Sequence, residues 1–86
     1  MNVVDELRRR LAVLDPVSID IADESSRHAG HAGAASGGHY RLVIESPRFA
    51  GLGTMARHRL VYAAVGDLMS HGIHALSIVA RSPAEH

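Results

Sequence analysis

Seven of the 86 residues are histidine, at positions 28, 31, 39, 58, 71, 74 and 86, and none is cysteine. Histidine changes charge near neutral pH and is a common nitrogen ligand for metals. Without cysteine the chain alone makes neither a disulfide nor a thiolate metal site. Three of the histidines fall in "RHAGHAGAASGGHYR", residues 27–41, which holds four glycines and no hydrophobic residue larger than alanine before Tyr40. Such a segment cannot build a core. It is either a metal site or a long, flexible loop that carries imidazoles. His28, His31 and His74 together, with an open fourth position, would suit zinc, but no signature spacing such as H-E-x-x-H accompanies them. A second group lies in "GLGTMARHR", residues 51–59. Here Gly51 and Gly53 precede a helix start that carries Arg57, His58 and Arg59. Helix N-termini present free N–H groups to phosphate, and arginines add charge. The plainer reading is a solvated helix face with ion pairs to Glu45 or Asp67. A third group, Asp23, Ser25, Ser26 and His28, has the residue types of a Ser-His-Asp triad. Adjacent residues on a loop supply neither its fixed geometry nor an oxyanion hole, so a non-enzymatic role is expected.

The elements that must position these residues are readable from periodicity. Asn2 is placed to cap a first helix in which Val3, Leu7, Leu11 and Leu14 recur at helical spacing. Arg8, Arg9 and Arg10 sit toward its C-terminus, where positive charge suits the dipole, and Pro16 stops it. In residues 17–23, Val17, Ile19 and Ile21 alternate with Ser18, Asp20 and Ala22, as in a half-buried strand. A glycine-rich loop, about residues 25–38, leads to a second strand, "HYRLVIES", with Tyr40, Leu42 and Ile44 on one face. "SPRFAGLGT" turns the chain, and Phe49 is expected to anchor that turn in the core. Thr54 is placed to cap a longer helix to about His71, with Val61, Val65 and Leu68 as its buried stripe, Tyr62 packing, and Gly72 ending it. "IHALSIVAR", residues 73–81, is the third strand, and strand parity sets His74 on the side of Leu76 and Ile78. A short polar tail, residues 82–86, follows.

The order is α-β-β-α-β. The expectation is an α/β (α+β sandwich) fold in one domain spanning residues 1–86, with both helices on one face of a three-stranded mixed sheet. Strands 1 and 2 should be antiparallel. Strands 2 and 3, joined by the long helix, should be parallel with a right-handed crossover. His28, His39, His71 and His74 then gather at one end of the sheet. Arg57, His58 and Arg59 lie at the other, about 20 Å away for roughly 14 helical residues at 1.5 Å each.

Composition narrows the function classes. Formal net charge is zero, which gives no general basis for nucleic-acid binding and leaves it to a local patch. The N-terminal "MNVVDELRRRLAVLD" lacks an apolar run after a basic start, so no secretory signal is expected. No stretch approaches the roughly 20 apolar residues of a membrane span. Absence of cysteine fits a reducing, cytoplasmic setting.

Three segments carry a family resemblance. "DESSRHAGHAG" at 23–33, "SPRFAGLGTMARHRLVY" at 46–62 and "GIHALSIVARSPAE" at 72–85 resemble the D/E-S-x-x-H, F-x-G…R-H-R-x-V-Y and H-A-L patterns of the BolA-like family. The resemblance covers nearly the whole chain and implies a fold like the type II K-homology domain. It also implies a partner, a monothiol glutaredoxin, with which such proteins share a [2Fe-2S] cluster. In that picture His74 matches the family's constant histidine ligand and His28 the loop ligand, with His31 as its substitute, while the glutaredoxin and its glutathione supply thiolates. His39 is read as an ordinary strand-edge residue. Replacing two thiolates of a cluster by imidazoles raises its potential and makes it pH-sensitive. The resemblance also implies, as the alternative, a DNA-binding regulator of stress response and cell morphology acting through Gly51, Gly53, Arg57, His58 and Arg59. K-homology domains clamp nucleic acid with a G-x-x-G loop. The G-x-G here departs from that pattern, and Leu52 sits where relatives carry a polar residue. The open sheet face also offers a surface for a homodimer.

Overall fold

The computed structural model describes residues 2–25 and 38–83. The expected loop, with His28 and His31, and the last residues of the tail lie outside these. The order is α1 (Val3–Leu11), β1 (Ser18–Asp23), β2 (Gly38–Glu45), α2 (Thr54–Val65) and β3 (Ile73–Arg81), with short 3-10 turns after each helix and after β2. The sheet runs β1-β2-β3. β1 is antiparallel to β2 and β3 is parallel to it, as the crossover requires. This is the expected α+β arrangement.

α1 begins where the Asn2 side chain accepts hydrogen bonds from the backbone N–H of Val4 at 2.8 Å and of Asp5 at 3.3 Å, relieving two donors that have no helical partner. Leu7, Leu11 and Leu14 are buried against Tyr40, Leu42 and Ile44 of β2 and Phe49, Val61, Val65 and Leu68 beyond it. Phe49 is wholly buried, so the turn after β2 is anchored as expected. Ile19 and Ile21 of β1, and Leu76, Ile78 and Ala80 of β3, pack on the same core.

The second helix departs from expectation at both ends. Gly53, not Thr54, occupies the N-cap, and no side chain caps it. The α-helix stops at Val65 rather than near His71, and Gly66 rather than Gly72 is its C-cap. Gly66 takes φ 62° and ψ −134°, a backbone conformation open to glycine and rarely adopted by residues with a side chain. The cause lies in α1. Arg10 Nη1 donates to the Val65 carbonyl at 2.7 Å and to Asp67 Oδ1 at 2.7 Å. The guanidinium thus takes a carbonyl that another helical turn would have used. Its Nε donates to Glu6 Oε2 at 2.8 Å, and Arg9 also bonds Glu6. Hydrogen bonds from Arg9 and then Arg10 lower the Glu6 pKa to about 2. Tyr62, expected to pack, is 42% exposed, because it lies beside the Val61–Val65–Leu68 stripe rather than in it.

The end of the sheet far from the loop is closed by Ser46, which is fully buried. Its hydroxyl donates to the Leu14 carbonyl and accepts from Arg48 N at 3.1 Å. Its backbone N donates to the Arg81 carbonyl at 2.9 Å. One residue thus fastens the ends of the α1 segment, β2 and β3.

Candidate functional site

The loop end of the sheet is built around a β-bulge. Gly38 pairs with Ile73, but His39 pairs with Ala75, so His74 is an extra residue with no partner on β2. Ile73 is buried and Leu76 packs on the core. Two core-facing residues three apart cannot occur on a regular strand, whose faces alternate with period two, and the bulge resolves the conflict. The parity expectation for His74 is therefore corrected. It leaves the row of Leu76 and Ile78, is exposed, and its ring stands 5.0 Å from that of His39, centroid to centroid, with planes inclined by 42°.

His39 is held from behind. Its backbone N donates to Ser25 Oγ at 3.0 Å and its carbonyl accepts from Glu24 N at 2.8 Å. Gly38 N donates to the Gly72 carbonyl at 3.1 Å, tying the starts of β2 and β3. Ser25 N in turn donates to Asp23 Oδ1 at 2.9 Å. The Ser25 hydroxyl, and then its backbone N–H, hold the Asp23 carboxyl below its usual range. Burial pushes the neighbouring Tyr40 phenol up, with the Asp23 charge adding to it and the Ser25 hydroxyl opposing. The base of the histidine pair is thus a fixed polar network on the core side of the sheet.

The structure brings together His39 and His74. His71 is exposed, and its Nδ1 lies 2.9 Å from the Asp67 carbonyl, so Nδ1 carries the proton in that bond. His58 is half-buried on α2. His28 and His31 lie outside the described residues. Among the described residues no three metal-ligating side chains converge, so these residues offer a metal at most a pair of imidazoles. A pair of imidazoles suits the nitrogen-ligated iron of a mixed-ligand cluster, and the donor set fits the shared cluster that the family resemblance implies.

The opposite end holds the phosphate-type candidates. Gly51, at φ 77°, and Gly53 face open space, and Arg59 is exposed. Arg57 is half-buried and engaged with the fold. Its Nε donates to the Leu52 carbonyl at 2.8 Å and its Nη1 to the Ala80 carbonyl at 3.0 Å. It ties the turn before α2 to the end of β3. Neither Glu45 nor Asp67 pairs with Arg57 or Arg59 in the salt bridges observed, and Asp67 is paired with Arg10.

Sequence reasoning missed the partnership of His39 with His74 and the structural duty of Arg57. The first had a readable signal, the apolar Ile73 and Leu76 flanking "HA". The second had none, because the carbonyls Arg57 reaches belong to residues five before it and 23 after it.

Among the described residues no helix is long and apolar enough to cross a membrane. A family profile described as "BolA-like protein" matches residues 11–85. The chain is 42% identical over 91 residues to SufE-like protein 1, chloroplastic/mitochondrial, of Arabidopsis thaliana, covering 99% of this chain and 24% of that protein. It is 39% identical over 89 residues to Protein BOLA1, chloroplastic, of the same plant, covering 98% of this chain and 56% of that protein. The chain thus spans from about a quarter to about half the length of these two relatives. It is 34% identical over 79 residues to the DNA-binding transcriptional regulator BolA of Escherichia coli, covering 91% of this chain and 73% of that protein. The solved structure of BolA1 from Arabidopsis thaliana superposes with a TM-score of 0.84 at 36% identity, covering 100% of this chain and 98% of that one. Fold, matched profile and these identities agree: the chain belongs to the BolA-like protein family.

Proposed function

We propose that this protein is a non-enzymatic, cytoplasmic partner of a monothiol glutaredoxin, with which it shares a [2Fe-2S] cluster as cargo in iron–sulfur cluster trafficking or iron sensing. The observation that carries the reading is the bulge that sets His74 out of the core row and into solvent. A histidine with a packing role would sit in that row; an exposed one beside a second imidazole is placed to meet a partner. The chain has no cysteine, so it contributes no thiolate, and the partner and its glutathione supply the thiolates. The bound cluster would supply iron and sulfide for transfer and a one-electron couple. This chain's residues do the rest. The bulge presents His74, the Ser25 and Glu24 hydrogen bonds fix the backbone of His39, and the buried core behind β2 and β3 keeps both strands in register.

The test is to mix the protein with cluster-loaded monothiol glutaredoxin and record visible absorption and circular dichroism. The reading predicts a new spectrum and a heterodimer, both lost or altered in His74→Ala. An unchanged spectrum and unchanged complex formation in that variant overturn it.

A second reading, direct DNA binding, is favoured by the exposed Arg59 on the second turn of α2, the helix that follows the Gly51–Gly53 turn. It uses the other end of the sheet, so the two roles are compatible. Here Arg59→Ala is the informative variant, since Arg57 also holds the fold. Binding to duplex DNA should weaken and its salt dependence become shallower by about one released counterion. No binding at moderate salt, or an affinity indifferent to Arg59→Ala, refutes it.

A further inference from the structure

We propose that His39 and His74 form a two-imidazole half-site that takes one metal ion, so that His39, rather than a loop histidine, is the second nitrogen donor of this chain. The inference deepens the cluster-sharing reading and rests on it where the shared cluster is concerned; the half-site itself is testable without the partner.

A nitrogen-bound metal lies about 2.0–2.1 Å from the imidazole nitrogen, and the ring centroid about 1.1 Å further, so two rings on one ion at angles from about 90° to 120° have centroids about 4.5–5.5 Å apart. The centroids of His39 and His74 are 5.0 Å apart. Both donors sit on paired strands rather than on a loop. The His39 backbone is held at both its N–H and its carbonyl, by Ser25 and Glu24. Its cross-strand neighbour is Ala75, the residue that follows His74 on β3. Bringing such donors together before the metal arrives removes the ordering cost that a loop donor would bear at the moment of binding. The bulge is the device that makes this pairing. On a regular β3 the residue before Ala75 would point into the core, away from His39.

The assignment is tested first on the chain alone. Zinc ion is titrated into the apo-protein, and the imidazole resonances of all histidines are followed by NMR, with backbone amide spectra reporting the fold of each variant. His39 and His74 should move together with one dissociation constant. Because each donor raises the effective concentration of the other, His39→Ala, His39→Gln and His74→Ala should each weaken zinc about tenfold or more. His28→Ala and His31→Ala should leave the affinity within about twofold. An affinity that survives both His39 variants in a folded protein, or one lost in His28→Ala, overturns the half-site. The second arm adds cluster-loaded monothiol glutaredoxin and compares visible circular dichroism. His39→Ala should alter the spectrum as His74→Ala does. If His74→Ala alters it and His39→Ala does not, the cluster reading stands and His39 is no donor to it. If zinc needs both histidines but neither affects the cluster, the half-site stands and the cluster reading falls.

Discussion

Replacing Gly38 with alanine would place a methyl carbon 2.5 Å from Tyr40 Cε2, 2.6 Å from its hydroxyl oxygen and 2.7 Å from Cζ. Gly38 and Tyr40 are two apart on β2 and share a face, and the tyrosine ring folds back over the glycine. Gly38 is not among the glycines with positive φ. On backbone grounds alone, then, alanine should stabilise by about 0.4–1 kcal/mol through the unfolded chain. Against this stands the displacement of a buried ring, at about 1–3 kcal/mol for an overpacked core. The steric effect is larger, and the net expectation is a loss of about 1–2 kcal/mol, or about 4–16 °C in Tm for a domain of this size. Urea and thermal unfolding measure it. A double-mutant cycle identifies the cause: in a Tyr40→Leu background the obstructing ring is gone, and Gly38→Ala should become neutral or stabilising. The His39 and His74 imidazole resonances should also shift in Gly38→Ala, since Gly38 N bonds Gly72 O beside the bulge. A Gly38→Ala protein as stable as the parent, or a cost unchanged when Tyr40 is leucine, would refute the reasoning.

Leu42→Ala removes a fully buried side chain from the middle of β2 and should cost about 2–5 kcal/mol in urea unfolding. The Glu6 carboxyl has its pKa lowered to about 2 from 4.5, so the unfolded chain binds that proton more readily than the folded one. Its contribution is fully present above the unfolded value and is lost as pH falls from about 4.5 toward 2. Glu6→Gln should flatten the acid limb of a stability–pH profile over that window. Arg57→Ala should destabilise by about 1–3 kcal/mol, because two carbonyls lose a charged donor. Arg57→Lys should recover little, lacking the fork that reaches both. Arg59→Ala should stay within about 0.5 kcal/mol in the same melts.

How much of this was legible in the sequence depends on where each cause lies. The apolar alternation of Ile19 and Ile21, and of Tyr40, Leu42 and Ile44, is local, and so the strands and their mixed topology could be read directly. The bounds of the third strand, 73–81, also agree with the structure. The end of α2 could not be read from its own residues. Gly66 ends it because Arg10, 55 residues earlier than Val65, supplies a donor to the Val65 carbonyl. His74 was singled out by family likeness, but its direction was misjudged because period-two parity presumes a regular ladder. His39 looked ordinary for the same reason: its neighbour comes from a strand 35 positions away, across a bulge. In each case the pattern within an element was visible and the contact between elements was not.

The two ends of β3 also bear on how the protein avoids sticking to itself. β3 lies at the margin of the sheet, and a long apolar margin strand is a template on which a foreign strand can grow. At one end the bulge at His74 breaks the regular spacing of backbone groups. At the other Arg57 already occupies the Ala80 carbonyl. The Arg81 carbonyl points inward to Ser46 N, so by alternation only Leu76 and Ile78 keep regular outward-facing backbone groups between the two ends. An ordinary strand of about 5–6 residues offers two or three such residues, so this nine-residue strand presents no more open backbone than a much shorter one. The same irregularity that turns an imidazole toward solvent thus also guards this margin of the sheet against edge-to-edge pairing.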